Sequence, residues 1–418
     1  MVLVARLVKA AVEKQFVEAV WKLFCRGILK AFDCLVWEIV IRLLSVRKKV
    51  ENNKILFTNF SGNYDCNPKY ICEEILRQKL PYTIVWVIWD AKKSKIKNDV
   101  YQFPPEIKLV KRYSYDFYKE LFSAKVIVDN GTSYASAGVR KKKSQVLINT
   151  FHGSLGIKMA PKEDGGKNSK HNNKARRGGL MTDYAISNSE FEDGYYRDTY
   201  FGSTKVLQLG HARNDIFFEK DANKIGQIRN KVYSFFGLDY AVKICLYAPT
   251  FRADHDIRPY ALPYEQLLFA LKDKYGGEWR ILTRFHHQAK KFVKTIRFPE
   301  NVISATEYPD IHEIMVCAEI GITDYSNWIC EYIHSGKPGF LYATDIENYN
   351  ETNRLFYDPL DKMPFPLATN GRQLIENIKN FDIEKYKAAK DLFLKQKGCM
   401  EDGHASERIV ELIKEVMK

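Results

Sequence analysis

Gly321-Ile322-Thr323-Asp324-Tyr325-Ser326-Asn327, continuing through Glu331 to Gly336-Lys337-Pro338, decides the fold. The apolar run Ile314 to Ile322 reads as the approach to a buried strand. The amphipathic run after Asn327 reads as a helix closed by Gly-Lys-Pro. Together they predict a strand–turn–helix unit. Its turn sets hydroxyls and unpaired backbone N–H groups at a helix N-terminus, which favours an anion. A structural N-cap at Ser326 accounts for the serine equally well, so the remainder of the chain has to decide.

The same alternation recurs on both sides of this unit. Upstream, strand-like runs at Ile55–Phe57, Thr83–Trp89, Ile107–Val110, Lys125–Asp129, Gln145–Thr150, Tyr184–Ile186 and Lys205–Leu207 are interleaved with helical runs at Pro68–Lys79 and Tyr115–Ser123. Residues 161–179 read as a basic, Gly- and Asn-rich mobile loop. A second series contains Lys243–Tyr247, Arg280–Leu282, Val302–Ile303, Glu319–Ile322 and Gly339–Tyr342, with a helical tail from Asp382. Alternation of this kind predicts an α/β protein of two doubly wound, Rossmann-like halves facing a cleft. The expected divisions are residues 1–50, 51–220 and 221–418, with the last helix able to cross back.

At 418 residues the chain exceeds one ordinary core. Its net charge of +14 calls for anionic partners. Eight cysteines without a Cys-x-x-Cys pair or histidine clustering read as reduced thiols, and no metal site is expected. No run is long enough to span a bilayer, and charges at Arg6, Lys9, Glu13 and Lys14 break any secretory core. Residues 1–50 are helical in pattern, basic, and carry tryptophans on the apolar side. They fit an element lying on an anionic membrane surface, or a helical pair packed on the body.

Ligands of open parallel sheets bind beyond the carboxyl ends of the strands. Five such ends carry His, Arg, Ser or Thr: Phe151-His152-Gly153-Ser154, Gly210-His211-Ala212-Arg213-Asn214-Asp215, Ala248-Pro249-Thr250-Phe251-Arg252, Thr283-Arg284-Phe285-His286-His287, and Thr323 to Asn327. None has a dinucleotide fingerprint or Walker loop. Together they favour a phosphate-bearing ligand.

These segments, with Asn59-Phe60-Ser61-Gly62, Asn67-Pro68-Lys69-Tyr70, Lys158 and Asp402-Gly403-His404-Ala405-Ser406-Glu407-Arg408, resemble the CDP-glycerol glycerophosphotransferase family of teichoic-acid and capsule synthesis over roughly residues 51–415. The resemblance implies a GT-B fold and a metal-independent peripheral enzyme on the cytoplasmic face of the bacterial membrane, with no cofactor. The implied donor is CDP-glycerol or CDP-ribitol, the acceptor a lipid-linked polyol phosphate or glycan, and the released product CMP. Homo-oligomerisation stays open.

Within that chemistry His152 is the expected general base, since histidine titrates near the right pH to take a hydroxyl proton. Arg284, His286, Thr323, Ser326, Asn327 and Arg252 are expected at the donor diphosphate, and Glu331 and Thr250 at the nucleotide ribose. Gly153, Ser154, His211, Asn214 and Asp324 are further cleft candidates, His211 and Asn214 with an alternative role at the hinge. Asp254-His255-Asp256 reads as a solvated loop. The chain departs from the family pattern at Ser154-Leu155, Asn327 and His211, which bears on donor identity. A GT-B glycosyltransferase using a nucleotide sugar and a non-catalytic polyanion-binding protein are the competing readings. Nucleic acid is disfavoured because aromatic-interleaved recognition motifs are missing.

Overall fold

The structure is a computed structural model describing residues 37–89, 103–131, 134, 137–156, 170–198, 201–202, 204–252, 256–286, 289, 296–347, 349, 356 and 358–418. Two all-parallel sheets organise it. The first contains β1 (Glu51–Thr58), β2 (Thr83–Ile88), β3 (Lys108–Lys111), β4 (Ala124–Asp129), β5 (Val146–Asn149), β6 (Tyr184–Ser187) and β7 (Lys205–Gln208), in the order β3-β2-β1-β4-β5-β6-β7. The second contains β8 (Lys243–Tyr247), β9 (Trp279–Thr283), β10 (Val302–Ser304), β11 (Ala318–Thr323), β12 (Gly339–Tyr342) and β13 (Leu367–Ala368), in the order β10-β9-β8-β11-β12-β13.

Both orders reverse direction beside the first strand of the sheet. That reversal opens a crevice at the strand ends, as in doubly wound sheets. The central strands are near-continuous apolar runs because helices cover both faces. Registers such as Leu56 opposite Ile127 and Leu246 opposite Gly321 align the strand ends of each sheet.

The chain returns at its C-terminus. Ile409, Val410, Ile413 and Met417 of helix Ala405–Met417 share a buried cluster with Ile55, Phe57 and Val126 of the first sheet. Burying four such side chains fixes the helix there at roughly 1.5–3 kcal/mol each.

Several local expectations change. Ile311–Cys317 is a helix and the strand begins only at Ala318, because no Gly or Pro separates two apolar segments of different period. Lys170–Met181, beginning within the expected basic loop and running past its end, is helical. The helical tail expected from Asp382 is present as two helices, Ile383–Gln396 and Ala405–Met417.

Of the N-terminal segment, residues 1–36 lie outside the described part. Residues 37–47 form a helix whose Trp37, Val40, Ile41 and Leu44 pack on Val85, Val110, Phe117 and Tyr118. Its Ile39, Leu43 and Val46 face outward. No helix among the described residues is long and apolar enough to cross a membrane.

Candidate active site

The turn after β5 is built to present one imidazole. Phe151 adopts φ +50° and Leu155 φ +43°, left-handed conformations that cost a non-glycine residue about 1–2 kcal/mol. Hydrogen bonds hold the strain. Phe151 N donates to Asn149 Oδ1 at 2.9 Å, and Asn67 Nδ2 donates to the carbonyls of Thr150 (2.9 Å) and Phe151 (3.1 Å).

His152 therefore projects into the cleft between the rings of Phe60 and Phe151, at centroid distances of 4.7 and 4.9 Å. Its Nδ1 lies 2.7 Å from the Asn130 carbonyl, which can only accept. The proton of the neutral ring therefore sits on Nδ1, and Nε2 is left unprotonated and able to accept. Water reaches the ring, yet the walls of the cleft desolvate it and pull its pKa below the ordinary value. Arg213 adds to this shift, while the Asn130 carbonyl and Glu331 oppose it. The imidazole is thus neutral at neutral pH.

Facing it is the turn after β11. A Cβ built on Gly153 would stand 3.9 Å from the Asn327 amide nitrogen, so the two motifs meet across the cleft. Ser326 and Asn327 are partly exposed. The backbone N–H groups of Ser326 and Trp328 meet no acceptor among the described residues. The helical segment that follows closes at Gly336, as the sequence suggests, but only its first turn is α-helical. A single α-turn, Ile329–Tyr332, runs into the 3-10 turn Ile333–Ser335 and stops at Gly336. Its dipole is correspondingly small, so the attraction for an anion rests on the free N–H groups rather than on a macrodipole. Gly321 allows this packing, since a Cβ there would lie 2.9 Å from the Tyr332 ring.

The remaining candidates divide. Arg284, partly exposed, donates to the carbonyls of Ala305 (2.9 Å), Tyr308 and Pro309 (3.3 Å) and forms no ion pair among the described residues. Desolvation lowers its pKa, with Asp65 and Asp310 opposing. Its charge is thus held by backbone carbonyls rather than cancelled by a paired carboxylate, which leaves it able to attract an anion. His286 is exposed beside Phe251, with ring centroids 5.5 Å apart.

Arg252 instead lies buried against Asp324 (2.7 Å) and Asp345 (2.7 Å), and Asp324 also accepts from Thr250 N at 2.8 Å. Thr323 Oγ1 and Trp328 Nε1 both donate to the Ala248 carbonyl. Arg252, Asp324 and Thr323 thus shape the wall, fixing the loops after β8 and β11. Residues 254 and 255 lie outside the described part, and Asp256 pairs with Arg258.

Glu331 does not face an open ribose pocket. Its two oxygens are taken by Arg213 Nη2 (2.5 Å) and His312 Nε2 (2.6 Å), all three groups buried. Burial alone would raise its carboxyl, but the Arg213 charge and the His312 contact outweigh it and hold it below the usual range. Beside it Lys69 is buried between Asp310 (2.7 Å) and Glu313 (2.9 Å). These pairs join the first sheet's elements to the second's, directly under the cleft.

His211 and Asn214 are in a separate buried cluster. His211 Nε2 lies 2.9 Å from Glu192, Asn214 Nδ2 donates to Glu401 at 2.9 Å, and Ser154 Oγ accepts from Asn188 at 2.6 Å. Asn67, Asn130, Arg213 and His312 carry the site without having been singled out as site residues. Asn67 and Arg213 stand inside quoted motifs, and that position was their signal; Asn130 and His312 had none.

No group of His, Cys, Asp and Glu able to hold a metal is present among the described residues. A cavity of about 980 Å3 bordered by Lys69, Tyr70, Lys231 and Glu407 contains none of the cleft residues, and its charges are largely paired with one another.

The sequence is 27% identical to the teichoic acid poly(glycerol phosphate) polymerase of Staphylococcus epidermidis over 88% of this chain, which spans 51% of that protein. It is 25% identical to the protein of the same name in Bacillus spizizenii, over 90% of this chain and 95% of that one. The solved structure of the wall teichoic acid polymerase TagF superposes with a TM-score of 0.74 at 25% identity, covering 93% of this chain and 96% of that one. The family model for CDP-glycerol:poly(glycerophosphate) glycerophosphotransferase matches residues 40–415, and the chain belongs to that family.

Proposed function

We propose that this chain transfers glycerol phosphate from CDP-glycerol to a hydroxyl of a lipid-linked polyol-phosphate acceptor, releasing CMP. The two facing sheets act as the paired Rossmann-like domains of a GT-B enzyme. The observation that carries the reading is the approach of the His152-Gly153 turn to Asn327, with His152 Nδ1 committed to a carbonyl.

In the reaction the acceptor hydroxyl gives its proton to His152 Nε2 while its oxygen attacks the phosphorus bearing glycerol. The bond from that phosphorus to the CMP oxygen breaks, and CMP leaves with the bonding pair. Arg284, His286 and the N–H groups of Ser326 and Trp328, beside the Asn327 side chain, stabilise the charge gathering on the diphosphate. Binding these donors to fixed loops means that little reorganisation is needed as the charge develops. The exposed Ile39, Leu43 and Val46, with Arg42, Arg47, Lys48 and Lys49 nearby, support a peripheral seat on an anionic membrane.

Purified protein incubated with CDP-glycerol, CDP-ribitol or a UDP-sugar and a lipid-linked glycerophosphate acceptor separates the readings. The account expects acceptor-dependent CMP from CDP-glycerol. UDP from the sugar nucleotide, and no CMP, would overturn it.

A further inference from the structure

The ends of four strands of the first sheet carry an exposed line of rings and one cation. Following the sheet order outward from β5 gives His152, then across β4 to Phe60 after β1, Trp89 after β2, and Arg112 and Tyr113 after β3. The members are contiguous. Phe60 packs against His152 with tilted rings, centroids 4.7 Å apart. Trp89 lies against the Phe60 turn, where Gly62 at φ +71° leaves the space that a Cβ would close to 2.5 Å from the indole. The Arg112 guanidinium sits between the Trp89 and Tyr113 rings, 4.6 Å from each centroid.

Large rings at strand ends are ordinarily covered, yet Phe60, Trp89 and Tyr113 are 43%, 43% and 44% exposed. Arg112 forms no ion pair among the described residues. The line is also held in place. Phe60 N donates to Asn130 Oδ1 at 2.9 Å, Ser61 N to Asn59 Oδ1 at 3.0 Å, and Arg112 N to the Ile88 carbonyl at 2.8 Å.

We propose that this line is the acceptor track, with the rings stacking on the sugar and polyol units of the incoming chain and Arg112 pairing with a phosphodiester. The inference rests on the transferase reading and extends it to the far side of His152. The chemistry favours a ligand in which C–H-rich units alternate with single negative charges. Continuity with His152 aligns the end of that ligand with the base. A guanidinium between two aromatic faces keeps its edge for an anion while its planes are packed.

The test is calorimetric binding of a short soluble glycerol phosphate oligomer to the whole purified chain, with CDP-glycerol binding measured on the same samples. Arg112→Ala and Trp89→Ala are each expected to weaken oligomer binding about tenfold, with donor affinity unchanged and Arg112→Lys in between. Wild-type strength in both variants, or no oligomer binding by the wild type, overturns the proposal. So does tighter binding of a single-stranded oligonucleotide, the other ligand that alternates rings with phosphates. Because binding is read without turnover, CMP release from CDP-glycerol remains a separate measure of the transferase reading.

Discussion

Asn67 holds the strained carbonyl of Phe151, donating to it at 3.1 Å while its own Oδ1 accepts from Arg213 N at 3.1 Å. One amide thereby ties the turn that presents His152 to the segment whose Arg213 reaches across to Glu331. Asn67→Ala would leave the Thr150 carbonyl and the Arg213 N–H unpaired, and the Phe151 carbonyl with only the Thr150 hydroxyl at 3.5 Å. The expected loss is about 1–3 kcal/mol of stability by urea unfolding, with kcat falling more than KM. Asn67→Asp keeps the acceptor but sets a carboxylate against two carbonyls, and is expected to be no better than alanine.

The pH–rate profile should report His152. Its pKa lies below the ordinary value of 6.5, chiefly through desolvation. The acid limb of kcat/KM is therefore expected to fall below that of a free imidazole, with a plateau through neutral pH. By the same linkage His152 contributes stability present above the unfolded pKa and lost as pH falls through the folded one. An acid limb above 6.5 would contradict the assigned environment.

The Arg213–Glu331 pair gives two shifts of opposite sign. Glu331 raises the His152 pKa and Arg213 lowers it. Glu331→Gln is expected to move the acid limb to lower pH, and Arg213→Gln to move it higher. Each variant leaves a buried partner uncompensated and is expected to lose about 3–5 kcal/mol in chemical denaturation. Shifts in the same direction would show that neither charge is felt at His152.

Arg284 is expected to act on the donor. A charge-assisted contact to phosphate is worth about 1.5–3 kcal/mol, so Arg284→Ala should weaken use of CDP-glycerol by roughly 10- to 100-fold in kcat/KM. Arg252→Ala should instead lower stability, because its guanidinium is spent on Asp324 and Asp345. Steady-state kinetics with donor varied, beside thermal melts, distinguish the two.

Strand ends were legible in the sequence because buried parallel strands are short apolar runs, and most lie within two residues of where alternation puts them. What was not legible is where polar side chains point. Arg252 and Arg284 both follow strands, yet Arg252 meets a carboxylate 93 positions away and Arg284 meets backbone carbonyls only. Glu331 reads as a ribose contact on a helix face until Arg213, 118 positions earlier, folds against it. The fusion of helix Ile311–Cys317 with β11 was invisible for lack of a breaker residue. Helix Lys170–Met181 was hidden by its Gly, Asn and Lys content, which carries little helical pattern.

The most direct test of the central claim is acceptor-dependent CMP release from CDP-glycerol by the wild type and by His152→Ala. The wild type is expected to release CMP in step with acceptor extension. His152→Ala should lose about 10²–10⁴-fold in kcat, with donor affinity retained. Full turnover by His152→Ala would contradict the account of the base, and no CMP from the wild type would contradict the reaction itself.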